Sequence, residues 1–138
     1  MTEQDHKIVA GRFAGQRAAR AKRGSRNYHA GEAAEAQIAQ EYERHGYSLR
    51  DRRWRGGVGE IDLVLERGGE IVFVEVKASR THARAAQAIT GRQMTRLLQS
   101  AEVYLGTLPG GSLTPMRFDV ALVDGAGRLD VIENALAA

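Results

Sequence analysis

The chain has 138 residues, 43% hydrophobic and 27% charged, a balance that fits one compact domain with a real core. It contains no cysteine, which excludes disulfides, zinc ribbons and thiol catalysis, and it has no run of ~18–20 apolar residues that could cross a bilayer. The net charge of +3 is unevenly spread: residues 1–30 carry seven basic side chains against Glu3 and Asp5, and the remainder is slightly acidic.

Residues 1–29 are rich in Ala, Gly, Arg and Lys and poor in large apolar side chains, the composition of a basic arm with little fixed structure. Such an arm suits contact with phosphates by counterion release, and it equally suits a solvated tail. The ordered domain is expected over residues 30–138. From Glu32 to His45, Ala36, Ile38, Ala39 and Tyr42 recur at spacings of three and four, which predicts a first helix stopped by Gly46. Tyr47 to Arg55 reads as a short basic strand, with Leu49 and Trp54 as its apolar contacts and a Gly56-Gly57 turn behind it. Alternation puts Arg53 and Arg55 on one face of that strand and Arg50 and Arg52 on the other.

Ile61 to Leu65 is a second strand, and Arg67-Gly68-Gly69-Glu70 is a hairpin signal. Ile71 to Lys77 is the most β-branched run in the chain and is expected in the middle of a sheet. A polar loop, Ser79 to Ala88, leads to a second helix from Thr90 to Leu105, whose stripe is Met94, Leu97, Leu98, Ala101 and Leu105. Pro109-Gly110-Gly111 breaks the chain, and Phe118 to Val123 and Leu129 to Ile132 close it as two strands around Asp124-Gly125. The order αβββαββ predicts an α/β fold, a mixed sheet flanked by helices.

Two strands carry charge where none is expected. Asp62 stands among Ile61, Leu63, Val64 and Leu65, and Glu75 among Phe73, Val74 and Val76. An ionised carboxylate buried without a partner costs several kcal/mol or is neutralised. Side chains two apart share a strand face, so Glu60 points with Asp62 and Glu75 with Lys77, and the hairpin brings the pairs side by side. Three carboxylates and one ammonium would then converge. A solvated hairpin face with cross-strand Glu–Lys pairs is the alternative, and it accounts poorly for charges ending the most core-like strand. With cysteine absent, carboxylate oxygens select Mg²⁺ or Mn²⁺ over zinc or copper. Such ions neutralise phosphate charge and acidify water, and a nearby lysine orients the attacking water.

Gly59-Glu60-Ile61-Asp62-Leu63 and Val72-Phe73-Val74-Glu75-Val76-Lys77 together resemble the YraN-like family of endonuclease-like proteins in the PD-(D/E)XK nuclease superfamily. The likeness runs from about Gly31 to Asn134 and includes Gly31 with Glu35, Gly46-Tyr47, Arg117-Phe118-Asp119 and Glu133-Asn134-Ala135. It implies a restriction-endonuclease-like core and hydrolysis of phosphodiester bonds in nucleic acid, DNA before RNA. It also implies that Asp62, Glu75 and Glu35 hold the metal and that Lys77 is the catalytic lysine. Gln93 falls where many members carry Lys and some carry Gln, on the helix flanking the site, and is expected with Arg53 and Arg55 among the nucleic-acid-binding residues. A non-catalytic nucleic-acid-binding module on the same fold is the alternative function.

Arg53 and Arg55, close before the acids, suit a phosphate backbone, and a charge-protected edge strand explains them almost as well. Trp54 is expected as a core anchor, and Asp119, amid apolar neighbours, in a salt bridge with Arg117 or another arginine. His29, His45 and His82 lack metal-ligand spacing and read as surface residues. Gly56-Gly57-Val58-Gly59 lacks the Gly-Lys-Ser/Thr ending of a phosphate loop and reads as a turn. The N-terminus lacks a secretory h-region, so a cytoplasmic protein without a membrane partner is expected. A homodimer would suit a nuclease that cuts both strands.

Overall fold

The computed structural model describes residues 23–78 and 91–135. Helix α1 (Arg23–Arg44) leads into strands β1 (Ser48–Arg55), β2 (Glu60–Arg67) and β3 (Glu70–Ala78). Helix α2 (Gly91–Leu105), a 3-10 turn (Gly111–Leu113), β4 (Met116–Val123) and β5 (Leu129–Ile132) complete the chain. The predicted αβββαββ order and mixed α/β sheet are therefore observed. Helix α1 starts at Arg23 rather than Glu32, inside the stretch read as arm, because extending a helix already held by a packed stripe costs little. Residues 1–22, the loop 79–88 and Thr90 lie outside the described residues.

The strands lie in sequence order, with β1–β2, β2–β3 and β4–β5 antiparallel and β3–β4 parallel. The β-branched β3 is the middle strand, as its composition predicts. Its two faces are covered by different helices. On one, Ile38 and Tyr42 of α1 pack with Leu63, Leu65, Val72, Val74, Ala121 and Val131. On the other, Leu97, Ala101 and Tyr104 of α2 pack with Ile61, Val64, Phe73 and Phe118, and Trp54 joins them as a core anchor. Trp54 and Phe73 both set a ring edge-to-face on Tyr104, at 5.0 and 5.6 Å between centroids.

Local chemistry fixes the turns. The α1 stop is a Schellman arrangement: Tyr47 N–H donates to Tyr42 O, Gly46 N–H donates to Glu43 O, and Gly46 adopts φ +89°. The hairpin between Arg67 and Glu70 needs positive φ at both central residues, which Gly68 (+60°) and Gly69 (+86°) supply.

Asp119 of β4 has no solvent exposure and is fully paired. It accepts hydrogen bonds from Tyr42 Oη at 2.6 Å, from Arg117 Nε and Nη2 at 2.9 and 3.0 Å, and from Asn134 N at 3.0 Å. The expected Asp119–Arg117 bridge is thus present, and it also joins α1 to the C-terminal turn. Asn134 sits at φ +54°, and Ala135 N donates to Phe118 O at 2.7 Å. So the 117–119 and 133–135 segments, distant in sequence, are bonded to one another. Among the described residues no helix is long and apolar enough to cross a membrane.

Candidate active site

The β2–β3 ladder runs from Arg67 opposite Glu70 to Leu63 opposite Val74, and the next register position sets Asp62 against Glu75. There the regular pairing ends. The N–H of Val76 donates to Asp62 Oδ2 at 2.8 Å, so a side chain takes the place of a main-chain acceptor. The β3–β4 pairing continues past this point, setting Glu75 beside Val120 and Lys77 beside Leu122. The two acids therefore meet where the central strand keeps one neighbour and parts from the other.

The two carboxyl groups act on one another's proton affinity. Burial, then the negative charge of Glu75, pushes the Asp62 carboxyl up to about 7, against the opposing pull of the Val76 N–H. Glu75 is raised as well, chiefly by burial, while the Lys77 ammonium beside it acts in the opposite direction. Lys77 Nζ lies 3.3 Å from Glu75 Oε2, and Gln93 Nε2 of α2 donates to the same oxygen at 3.0 Å. One carboxylate oxygen is thus bracketed by the lysine two residues along its strand and by an amide from the covering helix.

Glu35 approaches from α1. Burial raises its carboxyl, opposed by the hydrogen bond from Arg53, and the negative charges of Asp62 and Glu60 raise it further. Its carboxylate is held by Arg53, whose Nε donates to Oε1 at 2.8 Å. Glu60 feels the same cluster and is paired with Arg55 across β1–β2, at 3.0 Å. The four acids named from sequence are therefore electrostatic neighbours, and Lys77 is in direct contact with Glu75. Glu35 is turned to its arginine. Among the described residues, no three Asp, Glu, His or Cys side chains are gathered closely enough to cage a cation by themselves. The donor set nonetheless suits a hard divalent ion: carboxylate oxygens, two of them on adjacent strands and each raising the cost of ionising its neighbours.

The arginines of β1 depart from strict alternation. A register shift between Leu49 and Asp51 lets both Arg50 and Asp51 reach Tyr104, through Arg50 Nε at 3.0 Å and Asp51 Oδ2 at 2.9 Å. Arg53 has φ +49°, a left-handed conformation uncommon for a side chain with a Cβ. The expectation that Arg50 and Arg52 share one face and Arg53 and Arg55 the other misses both irregularities, because alternation presumes an unbroken ladder. Of the expected phosphate contacts, Arg55 is at the rim with its side chain 76% exposed, Arg53 is half-buried on Glu35, and Gln93 is on Glu75. Arg92 and Arg96 are exposed one turn apart on α2 and have no acidic partner among the described residues. Sequence reading passed them over, although their spacing around Gln93 marks them. His45 Nδ1 is engaged by Glu41 O at 2.9 Å, and His82 lies outside the described residues.

Comparison with known proteins gives a consistent result. A family model described as "Uncharacterised protein family UPF0102" matches residues 34–123. A UPF0102 protein of Ruegeria pomeroyi is 60% identical over 115 residues, covering 83% of this chain and 94% of the relative. Another, of Roseobacter denitrificans, is 52% identical over 119 residues, 86% and 92% of the two chains. A third, of Cereibacter sphaeroides, is 50% identical over 115 residues, 83% and 98%.

Proposed function

The chain belongs to the uncharacterised protein family UPF0102, the YraN-like family of the PD-(D/E)XK type, and we propose that it is a Mg²⁺- or Mn²⁺-dependent endonuclease acting on nucleic acid, DNA in the first instance. The observation that carries this reading is the meeting of Asp62 and Glu75 where the β2–β3 ladder ends, with Val76 N–H on Asp62 Oδ2 at 2.8 Å and Lys77 Nζ 3.3 Å from Glu75. Asp62 and Glu75, joined by Glu35, would hold the ion, which supplies positive charge for the phosphate and acidifies water.

This chain's own residues have separable duties. Lys77, fixed against Glu75, orients the attacking water and offsets negative charge as it gathers on the phosphate oxygens. Gln93 locks the rotamer of Glu75 from the opposite side. Arg55 at the rim, together with Arg92 and Arg96 on α2, offers guanidinium groups to the flanking phosphates. Arg53 joins them when it leaves Glu35.

A second reading, a non-catalytic nucleic-acid-binding module, has one observation in its favour. Each acid already has a partner inside the protein: Val76 N–H for Asp62, Lys77 and Gln93 for Glu75, Arg53 for Glu35. The two readings part in one experiment. Mn²⁺ titration calorimetry and cleavage of plasmid, single-stranded and branched DNA are run on the wild type and on Asp62→Ala. Binding and cleavage that vanish in the variant support the nuclease. A wild type that binds DNA in a salt-sensitive way, with neither Mn²⁺ uptake nor cleavage, supports the module.

A further inference from the structure

We propose that Arg53 is the resident counter-cation of the acidic cluster, a positioning residue that holds Glu35 in the metal-free protein and releases it when a divalent cation enters. The inference rests on the metal-site reading above and deepens it.

Four carboxylates lie within electrostatic reach of one another, and the helix face carrying Glu35 is buried against the sheet. Lys77 sits against Glu75, and Arg55 against Glu60. Glu35 has Arg53, whose Nε is 2.8 Å from Oε1 and whose Nη1 is 3.7 Å from Oε2 of Glu32, one helical turn earlier. The arginine is thus shared between two acids on the same face of α1.

The backbone is bent to make this possible. The β1–β2 register sets Arg52 opposite Leu63 and Trp54 opposite Ile61, which leaves Arg53 opposite Asp62. A regular strand would stand the two side chains next to each other. Instead Arg53 turns to φ +49°, and its guanidinium reaches α1. Among the described residues only Asn134 shares that left-handed conformation without being glycine, and Asn tolerates it far better than Arg. A disfavoured backbone conformation at a site marks an arrangement held by its surroundings. Here the Arg53 side chain is bonded to the Glu35 carboxylate.

Glu35 cannot serve both cations equally. An oxygen ligand must approach Mg²⁺ or Mn²⁺ to about 2.1 Å, and a guanidinium bonded to the same carboxylate competes for its lone pairs and repels the incoming charge. Occupancy of the cation site therefore transfers Glu35 from Arg53 to the ion. The freed guanidinium, still tethered opposite Asp62, is then placed for a bidentate contact with a phosphate at the site. Cation loading and phosphate capture become linked through one side chain.

The test uses the full chain, stripped with EDTA, as wild type, Arg53→Gln and Arg53→Lys. Melting temperature in EDTA and the Mn²⁺ dissociation constant by calorimetry are both measured. Arg53→Gln is expected to melt lower in EDTA yet bind Mn²⁺ about tenfold more tightly, the scale set by one nearby charge removed. Arg53→Lys, which keeps the charge, is expected to bind close to the wild type. Equal or weaker Mn²⁺ binding by Arg53→Gln overturns the proposal while leaving the metal reading intact. No Mn²⁺ binding by the wild type overturns both. A measurement on the wild type alone covers a variant that fails to fold: the Arg53 Nε–H proton, followed by NMR, is slow to exchange in EDTA and is expected to exchange rapidly at saturating Mg²⁺. An Nε–H still protected at saturation overturns the proposal.

Discussion

Tyr42 and Asp119, 77 positions apart in sequence, are joined by a 2.6 Å hydrogen bond that pins α1 to β4. The acceptor is a carboxylate with no exposure to water, and it is also bonded by Arg117 and by Asn134 N. Tyr42→Phe removes one bond to a charged group and is expected to lower stability by about 1.5–3 kcal/mol. Arg117→Met strands the carboxylate and is expected to lower it by about 3–5 kcal/mol. Urea unfolding measures both. A loss below 1 kcal/mol for Arg117→Met, on the order of an exposed ion pair, would show that Asp119 finds water or another cation.

The burial of Asp62 beside the charge of Glu75 gives stability a definite pH dependence. The folded-state carboxyl of Asp62 is raised from 3.8 to about 7, so between those values the folded protein binds more protons than the unfolded chain. Stability then falls as pH rises across that window, and the penalty is complete above it. In metal-free buffer the wild type is expected to lose melting temperature from pH 5 to pH 8 relative to Asp62→Asn, which has no proton to lose. Parallel melting profiles for the two proteins would contradict the raised Asp62 carboxyl.

Lys77 meets the site at Glu75, 3.3 Å away, and its side chain is a fifth exposed. Lys77→Met is expected to lower single-turnover DNA cleavage by about 10²–10⁴-fold while leaving Mn²⁺ binding in place. Cleavage at the wild-type rate would remove Lys77 from the chemistry.

Gly56 tests the packing beneath the basic strand. A Cβ there would lie 2.3 Å from Trp54 Cη2 and 3.0 Å from Val103 Cγ1. Gly56→Ala is expected to destabilise by about 1–3 kcal/mol through overpacking. Trp54 is the only tryptophan, so its fluorescence reports the same disturbance directly. An unchanged emission maximum together with unchanged stability would mean that the indole has room to move.

Much of the frame was legible because local signals agreed with global need. The β-branched run of β3 and the paired glycines of its hairpin each admit one placement, and β5 falls on Leu129–Ile132 as patterned; the α2 stripe was legible only in part, since Leu98 is exposed while Ser100 and Tyr104 are buried beside Leu97, Ala101 and Leu105. Charges at apolar positions made Asp62, Glu75 and Asp119 conspicuous, since each demands a partner. The partners were harder to read. Nothing in a run of arginines marks Arg53 as the one with positive φ, because that conformation goes against the residue's own propensity and accompanies a tertiary pairing with Glu35. Tyr42 looked like an ordinary helix-stripe residue, and its hydroxyl acquires a purpose only when β4 is in place. The N-terminal extent of α1 was hidden for the same reason: composition speaks of isolated peptides, and a docked helix propagates beyond its own preference.

The bonds from Asn134 N to Asp119 and from Ala135 N to Phe118 have a bearing on biosynthesis. A polypeptide leaving the ribosome N-terminus first exposes α1 and three strands before β4 exists, and the last clasp on β4 forms only after Ala135 has emerged. Completion of the sheet therefore waits on that turn, and a nascent chain stalled short of it would present an unfinished sheet edge to its surroundings.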